Sequence, residues 1–540
     1  MDAKGDIAEV NVGDPVTRGS IDKTDGIEIG NNGVVVDHGL HRALKQRHLQ
    51  MIALGGVIGA SIWYGVGASI AASGPIGSLI SFAVIGLDVF FVMQSLGEMA
   101  TLYPTPGAFT ELAGRFIDPA FSVALGWNYW YLWASNIAAE YNLVAICLSF
   151  WTDKVPVYGW VLLCWAFYQA ISLFGVIVYG ELEFWLALWK ISCVMVTYLL
   201  AILVNTGGIG GDYIGFRYWK DPGPFANGIN GFGQSFVLAA VYHCGTELVA
   251  ITGGESRNPA RDLPKAVRAT MFRVIFIYMG IMFFASISVA SNDELLLTPS
   301  NRAIMSPFAI ALKHAGWSGG PHLINAFIFT ATFSATNSSI YIGSRTLYAL
   351  ADLGRAPKIF LKTLFGGVPV YAAIATNLVG LLALVNAASG AAKTFNYLIS
   401  LSGAATFIAW GGIGITHLRF RRAWRLQGHT VDELPFKAFL YPYGAYFITV
   451  LNIFLLFIQG YGSLLTPWHP VDFVFSYLVI VLFLVIFLFW KFYKKSKLVN
   501  LREVDLLYGQ RQFLSSDSED EEKPSLFTRV VRSVRNKTSS

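Results

Sequence analysis

The chain has 540 residues, of which 54% are hydrophobic and 14% charged. A soluble globular domain carries about 25% charged residues, so the composition excludes one and implies a membrane protein. The formal net charge of +5 lies mostly in short loops between apolar runs, and no nucleic-acid-binding patch is read in it.

Residues 1–44 are polar, with no apolar core near Met1. They predict a disordered tail and no cleavable signal. Residues 45–500 predict a transporter domain of about twelve transmembrane helices. The expected spans are 49–73, 75–101, 119–150, 157–179, 184–204, 232–254, 268–290, 321–350, 367–388, 395–419, 439–461 and 470–493. Residues 501–540 form a second tail with the acidic, Ser-rich stretch "SSDSEDEEKPS" (Ser515–Ser525). The tails are expected to offer sites to trafficking or ubiquitination machinery, for example Lys4 or Lys23. Lys and Arg concentrate in one set of loops, such as Arg257, Arg261, Lys265 and Arg268, or Arg419, Arg421, Arg422 and Arg425. That asymmetry puts both termini in the cytoplasm.

The first span contains "LGGVIGASIWYGVG" (Leu54–Gly67), with five glycines in an apolar run. Each interior Gly weakens a helix by about 1 kcal/mol against Ala. Two explanations stand: close packing against a neighbouring helix, or a break that offers backbone groups to a ligand. The sixth span favours the break. Its "HCGTE" puts His243, Cys244, Gly245, Thr246 and Glu247 within an apolar run. Broken helices at matching places in two halves are the mark of an inverted-repeat transporter. A half-helix N-terminus attracts a carboxylate, and a half-helix C-terminus offers carbonyls to an ammonium. An α-amino acid carries both groups.

Several segments together resemble the fungal amino acid permeases, the yeast amino acid transporter family of the amino acid–polyamine–organocation superfamily. They are "LKQRHLQMIALGGVIG" (Leu44–Gly59), "MQSLGEMATLYPTPGAFTELAGRFIDPA" (Met93–Ala120), "GTELVAITGGESRNPARDLPKA" (Gly245–Ala266) and "SLSGAATFIAWGGIGITHLRFRRAW" (Ser400–Trp424). The resemblance implies an all-α polytopic membrane protein with a five-plus-five inverted repeat. Repeat one spans about 49–204, repeat two about 232–419, and two extra helices about 439–493. It also implies a proton-coupled symporter that takes up amino acids across the plasma membrane. The first break would centre on Ile58, Gly59, Ala60 and Ser61, at the substrate carboxylate. Ala60 and Ser61 depart from the family's usual Thr and Gly. The second break would comprise Tyr242, His243, Cys244, Gly245 and Thr246, at the amino group. Cys244 is another departure.

Ionisable residues inside a span are costly and mark function. Asp88 and Glu98 fall in the second span, Glu140 in the third, Lys190 in the fifth, and His243 and Glu247 in the sixth. Glu140 and Glu247 are expected proton or hydrogen-bond partners. The resemblance implies a coupling role for Lys190, where a positive group stands in for the sodium ion of sodium-coupled relatives. Asp88 reads as a buried hydrogen-bonded carboxylate, and Glu98 as an anchor or a gate.

Cys147, Cys164, Cys193 and Cys244 fall in separate spans without metal-ligand spacing. No phosphate-binding loop appears, and no nucleophile–base constellation suggests an enzyme. No metal or cofactor is expected. The reading is a symporter for neutral or broad-range L-amino acids. The alternatives are an amino acid sensor that does not transport, and a permease for cationic amino acids or polyamines.

Overall fold

A computed structural model describes residues 61–507 except 106, 175, 254–258, 298–305, 365–366, 386–390, 465–467 and 469, together with Met51, Gly55, Ile58 and Gly59. Ala60, the side chain of Ser61, the N-terminal tail and the stretch Ser515–Ser525 lie outside the described residues.

A helix stands at the place of each expected span. Helix α1 (Ser61–Leu102) holds most of the first two, joined at Gly74. Gly74 has φ 78°, a conformation that costs glycine little. Pro75 follows and starts the next helix, where its missing N–H is no loss. A Cβ on Gly74 would come within 2.8 Å of the Phe225 and Ala226 backbone, so the corner also needs a small residue.

The short α2 (Ala108–Phe116) precedes α3 (Pro119–Trp151). Asp118 caps α3 by accepting the Ala120 N–H at 2.8 Å, and it also pairs with Lys491. Helices α4 (Val157–Ile171) and α5 (Val176–Asn205) correct the expected boundary between the fourth and fifth spans. The apolar run through Tyr179 reads as the end of the fourth span, yet it opens the fifth. Glu183, expected in a loop, therefore lies inside α5.

The sixth span is two helices, α6 (Gly228–His243) and α7 (Leu248–Gly253). Next comes α8, from Pro259 to Ser288, whose middle turns at Arg273–Met279 are π-helical. Helices α9 (Gly320–Asp352), α10 (Val370–Val379), α11 (Ala391–Leu426), α12 (Tyr443–Ile458) and α13 (Pro470–Lys494) complete the bundle. Among the described residues, five helical stretches are long and apolar enough on their own to cross a membrane: Ile62–Leu102, Val178–Asn205, Arg261–Ser288, Tyr443–Leu464 and Pro470–Lys494.

The core is formed where α1 lies along α6, α3 along α9, and α11 against α3 and α12. The chain stays on this core past residue 500. The Val499 N–H donates to Ile117 O at 2.9 Å. Gln427 donates to Leu501 O and Val504 O at 3.2 and 2.7 Å, and the Tyr103 hydroxyl to Leu506 O at 2.8 Å.

The two broken helices touch directly. Ser69 Oγ and Ser235 Oγ lie 2.6 Å apart. Gly65 faces Tyr242 so closely that a Cβ would sit 1.6 Å from the Tyr242 hydroxyl. The glycine cluster of the first span thus serves both explanations. Gly65 permits close packing, whereas Gly59 lies in non-helical backbone. Gly65→Ala is expected to overpack this contact at a cost of about 1–3 kcal/mol. The measurement is the melting temperature of the purified protein; an unchanged value would show that Tyr242 swings away freely.

Candidate substrate and coupling sites

The α6 break begins with local chain chemistry. Cys244 leaves the helix with ψ 151°, and Gly245 adopts φ 88°, the left-handed conformation in which glycine ends helices. The Gly245 N–H turns to Glu247 Oε1 at 3.2 Å. The helix resumes with the Leu248 N–H on Gly245 O at 3.0 Å. Unpaired backbone groups at membrane depth would each cost several kcal/mol, so the break is held by side chains. The Thr246 hydroxyl donates to His243 O at 2.6 Å. Arg273 Nη2 donates to Thr246 Oγ1 at 2.5 Å. Trp410 on α11 donates to Glu247 Oε2 at 3.3 Å. Arg273 is fully buried, and its positive charge lies close to the C-terminal end of α6, where the helix dipole favours a cation.

Of the expected binding residues, Cys244, Gly245 and Thr246 lie in the break, while Tyr242 and His243 form the last turn of α6. His243 is fully buried. Its Nδ1 lies 2.8 Å from Ala239 O, and its ring lies 4.3 Å from that of Tyr278. In the first break, Ile58 and Gly59 are buried and non-helical, the Ile58 N–H reaches Gly55 O at 3.0 Å, and the helix resumes at Ser61. Trp63 points away from the break: its indole N–H donates to Thr197 on α5 at 2.9 Å.

Lys190 is fully buried on α5. Its Nζ lies 3.1 Å from Glu183 Oε1 and 2.7 Å from Ser334 Oγ on α9. Ser334 Oγ lies 2.7 and 2.9 Å from the two Glu183 oxygens. Sequence reading missed this partner because Glu183 fell between spans. The signal was present, since residues seven apart lie two turns apart on one helix face. Glu140 on α3 is 8% exposed, and its Oε2 has no hydrogen-bond partner among the described residues.

The other two acids are structural ties. Asp88 accepts from Asn452 on α12 at 2.8 Å, as expected of a hydrogen-bonded carboxylate. Glu98 joins three elements. Arg421 on α11 pairs with it at 2.5 Å, His417 lies 3.0 Å away, and the Ala438 N–H donates at 2.6 Å. This supports the anchor for Glu98. Arg273, Trp410, Ser334, His417 and Arg421 also escaped sequence reading, because nothing in the chain says which of its polar residues will meet.

These breaks and the intramembrane ion pair have the architecture of a transporter. The family described as amino acid permease matches residues 48–503. The chain belongs to the amino acid permease family. Its relatives include a general amino acid permease of Saccharomyces cerevisiae, 39% identical over 503 residues and covering 93% of this chain and 90% of the relative. A lysine-specific permease of the same yeast is 37% identical, covering 98% and 89%. The lysine-specific permease LysP of Lactococcus lactis is 38% identical, covering 86% and 92%. Two solved transporters share the fold. The Eremococcus coleocola manganese transporter has TM-score 0.52 and 13% identity, covering 83% of this chain and 94% of its own. A nucleobase-cation-symport-1 family transporter has TM-score 0.50 and 15% identity, covering 84% and 94%. This amino acid permease is a multi-pass membrane protein and a transporter, not an enzyme.

Arg273→Met removes a charged hydrogen bond from the permease's second break. Such a bond contributes about 1.5–3 kcal/mol, a factor of roughly ten to a hundred in the population of the intact break. Initial uptake per surface-exposed molecule is expected to fall by about tenfold or more. Unchanged uptake would show that Thr246 alone holds the end of α6.

Proposed function

We propose that the chain is a plasma-membrane proton/amino acid symporter with both termini in the cytoplasm, and that the two breaks bind the substrate's α-carboxylate and α-ammonium. One observation carries the reading. Helix α1 restarts at Ser61 and α6 stops at His243. Gly65, one turn into α1, touches Tyr242 in the last turn of α6. The positive end of one helix dipole and the negative end of another therefore lie side by side. The carboxylate end is assigned to the sequence segment Ile58, Gly59, Ala60 and Ser61, where first-turn N–H groups of α1 lack intrahelical partners. Tyr242, His243, Cys244, Gly245 and Thr246 surround the ammonium end, at the negative end of the α6 dipole. A zwitterion complements both ends with its backbone atoms, leaving its side chain to be read elsewhere.

The substrates are neutral or broad-range L-amino acids. Glu247 is engaged by Gly245 and Trp410, so the break itself presents no uncommitted carboxylate to a cationic side chain. A second reading, a permease for cationic amino acids, draws on the unpartnered Glu140 Oε2 and on the lysine-specific relatives. Lys190, Glu140 and Glu247 are the proposed coupling residues.

Uptake of radiolabelled amino acids in a permease-deficient yeast host tests both parts. Amines that lack the α-carboxylate are expected to compete at least about tenfold more weakly than the best amino acid, the factor that 1.4 kcal/mol gives. Equal competition by putrescine would remove the two-ended recognition. A panel of labelled neutral and cationic amino acids separates the two substrate readings.

Coupling has its own measurement. Lys190→Met leaves Glu183 as a buried charge without its cation, and breaking a buried pair costs about 3–5 kcal/mol. This variant is expected to lose concentrative uptake even where it reaches the surface. Accumulation at the wild-type level would exclude Lys190 from coupling.

A further inference from the structure

We propose that Glu183 is a positioning residue of proton coupling: its carboxylate keeps Lys190 a fixed cation, and the proton taken up with substrate rides on Glu140. The inference rests on the proton-symport reading and says where the proton sits.

The hydrogen bonds of the cluster run in one direction. Lys190 has three N–H donors and no acceptor. It gives one to Glu183 Oε1 and one to Ser334 Oγ. Ser334 has a single O–H proton, and with Lys190 donating to its oxygen, that proton points to Glu183. The chain from Lys190 through Ser334 to Glu183 suits an ammonium at one end and a carboxylate at the other. Glu183 and Lys190 are both fully buried, so neither charge has water to replace its partner. If Lys190 released its proton, Glu183 would be left as a lone buried anion.

Charge counting then selects the site that changes. Glu140 and Arg273 both act on Lys190 through their charges, and Arg273 is offset by Glu247, so the remaining cluster holds two carboxylates and one ammonium. Fully ionised, it carries one net negative charge inside the membrane. One added proton makes it neutral. Glu183 already accepts from Lys190 and Ser334. Glu140 Oε2 has no such donor among the described residues, so the proton goes there. It enters as H⁺ from outside, forms an O–H bond on the Glu140 carboxylate, and leaves that oxygen on the other side of the cycle, while Lys190 keeps its three N–H bonds throughout. The titratable and charged groups around the cluster are Cys147 on α3, Tyr168 on α4 and Arg273 on α8. Arg273 is the further cation among them, and it is engaged by Thr246 and offset by Glu247.

The test uses the purified full-length chain in liposomes, with whichever of radiolabelled L-leucine or L-lysine the wild type carries faster. Two readings are taken: exchange with the same amino acid inside at equal pH, which needs no net proton movement, and accumulation driven by an acid exterior. Wild type is expected to do both. If it exchanges but ignores the pH gradient, the proton-symport reading fails and this inference falls with it. Given a responsive wild type, Glu183→Gln and Glu140→Gln are each expected to keep exchange and lose about tenfold of the gradient-driven accumulation, the factor one pKa unit represents. Glu183→Asp, which retains the carboxylate, is expected to recover part of it. The double variant E183Q/K190Q leaves no unpaired charge of this pair and decides the case if Glu183→Gln fails to fold. Accumulation restored in the double variant would show a purely structural pair and overturn the proposal. So would wild-type accumulation in Glu183→Gln.

Discussion

Every other feature of this permease depends on one constraint: a helix can be interrupted inside a membrane only if the freed backbone groups find partners. At the α6 break those partners come from four directions. Gly245 supplies the left-handed turn, Glu247 accepts its N–H, Thr246 caps His243, and Arg273 holds Thr246 from the π-helical turns of α8. The π-helical stretch begins at the arginine. The upkeep of this break is thus distributed over distant side chains. Glu247 is bound into that upkeep through Trp410, which joins the break to α11.

Buried charge serves a different purpose in the rest of the bundle. Glu183 and Lys190 on α5 meet Ser334 on α9. Glu98 on α1 meets Arg421 and His417 on α11. Asp88 on α1 meets Asn452 on α12. Each group links helices that apolar packing alone would leave free to slide, since lipid competes for apolar faces. A buried pair is weak evidence of added stability, but it fixes which helix faces which.

The relatives carry different substrates on one family fold, general in one yeast permease and lysine-specific in another. Under the proposed recognition of the α-carbon groups by backbone, that is possible. The two dipole ends depend on where helices start and stop, which glycine and helix geometry control. The residues that meet the substrate's side chain are then free to change one by one.

The sequence by itself determined the membrane class, the places of the helices and the α6 break, because these follow from local properties: apolar length, glycine's φ and the distribution of Lys and Arg. It also singled out Glu98, Glu140, Lys190 and Glu247 as ionisable residues in apolar runs. It misplaced Glu183, because hydropathy reads a paired carboxylate as a loop residue; the apolar stretch before it ran on from α4 and hid the true start of α5. Only the tertiary structure decided that Glu183 neutralises Lys190, that Arg273 supports Thr246, and that Trp63 turns to Thr197 rather than to the break. It also decided that Gly65 serves the contact between α1 and α6 while Gly59 serves the interruption. These pairings join residues on different helices. Their energies come from removing two particular groups from lipid together, and one chain position carries no record of which partner the fold will bring.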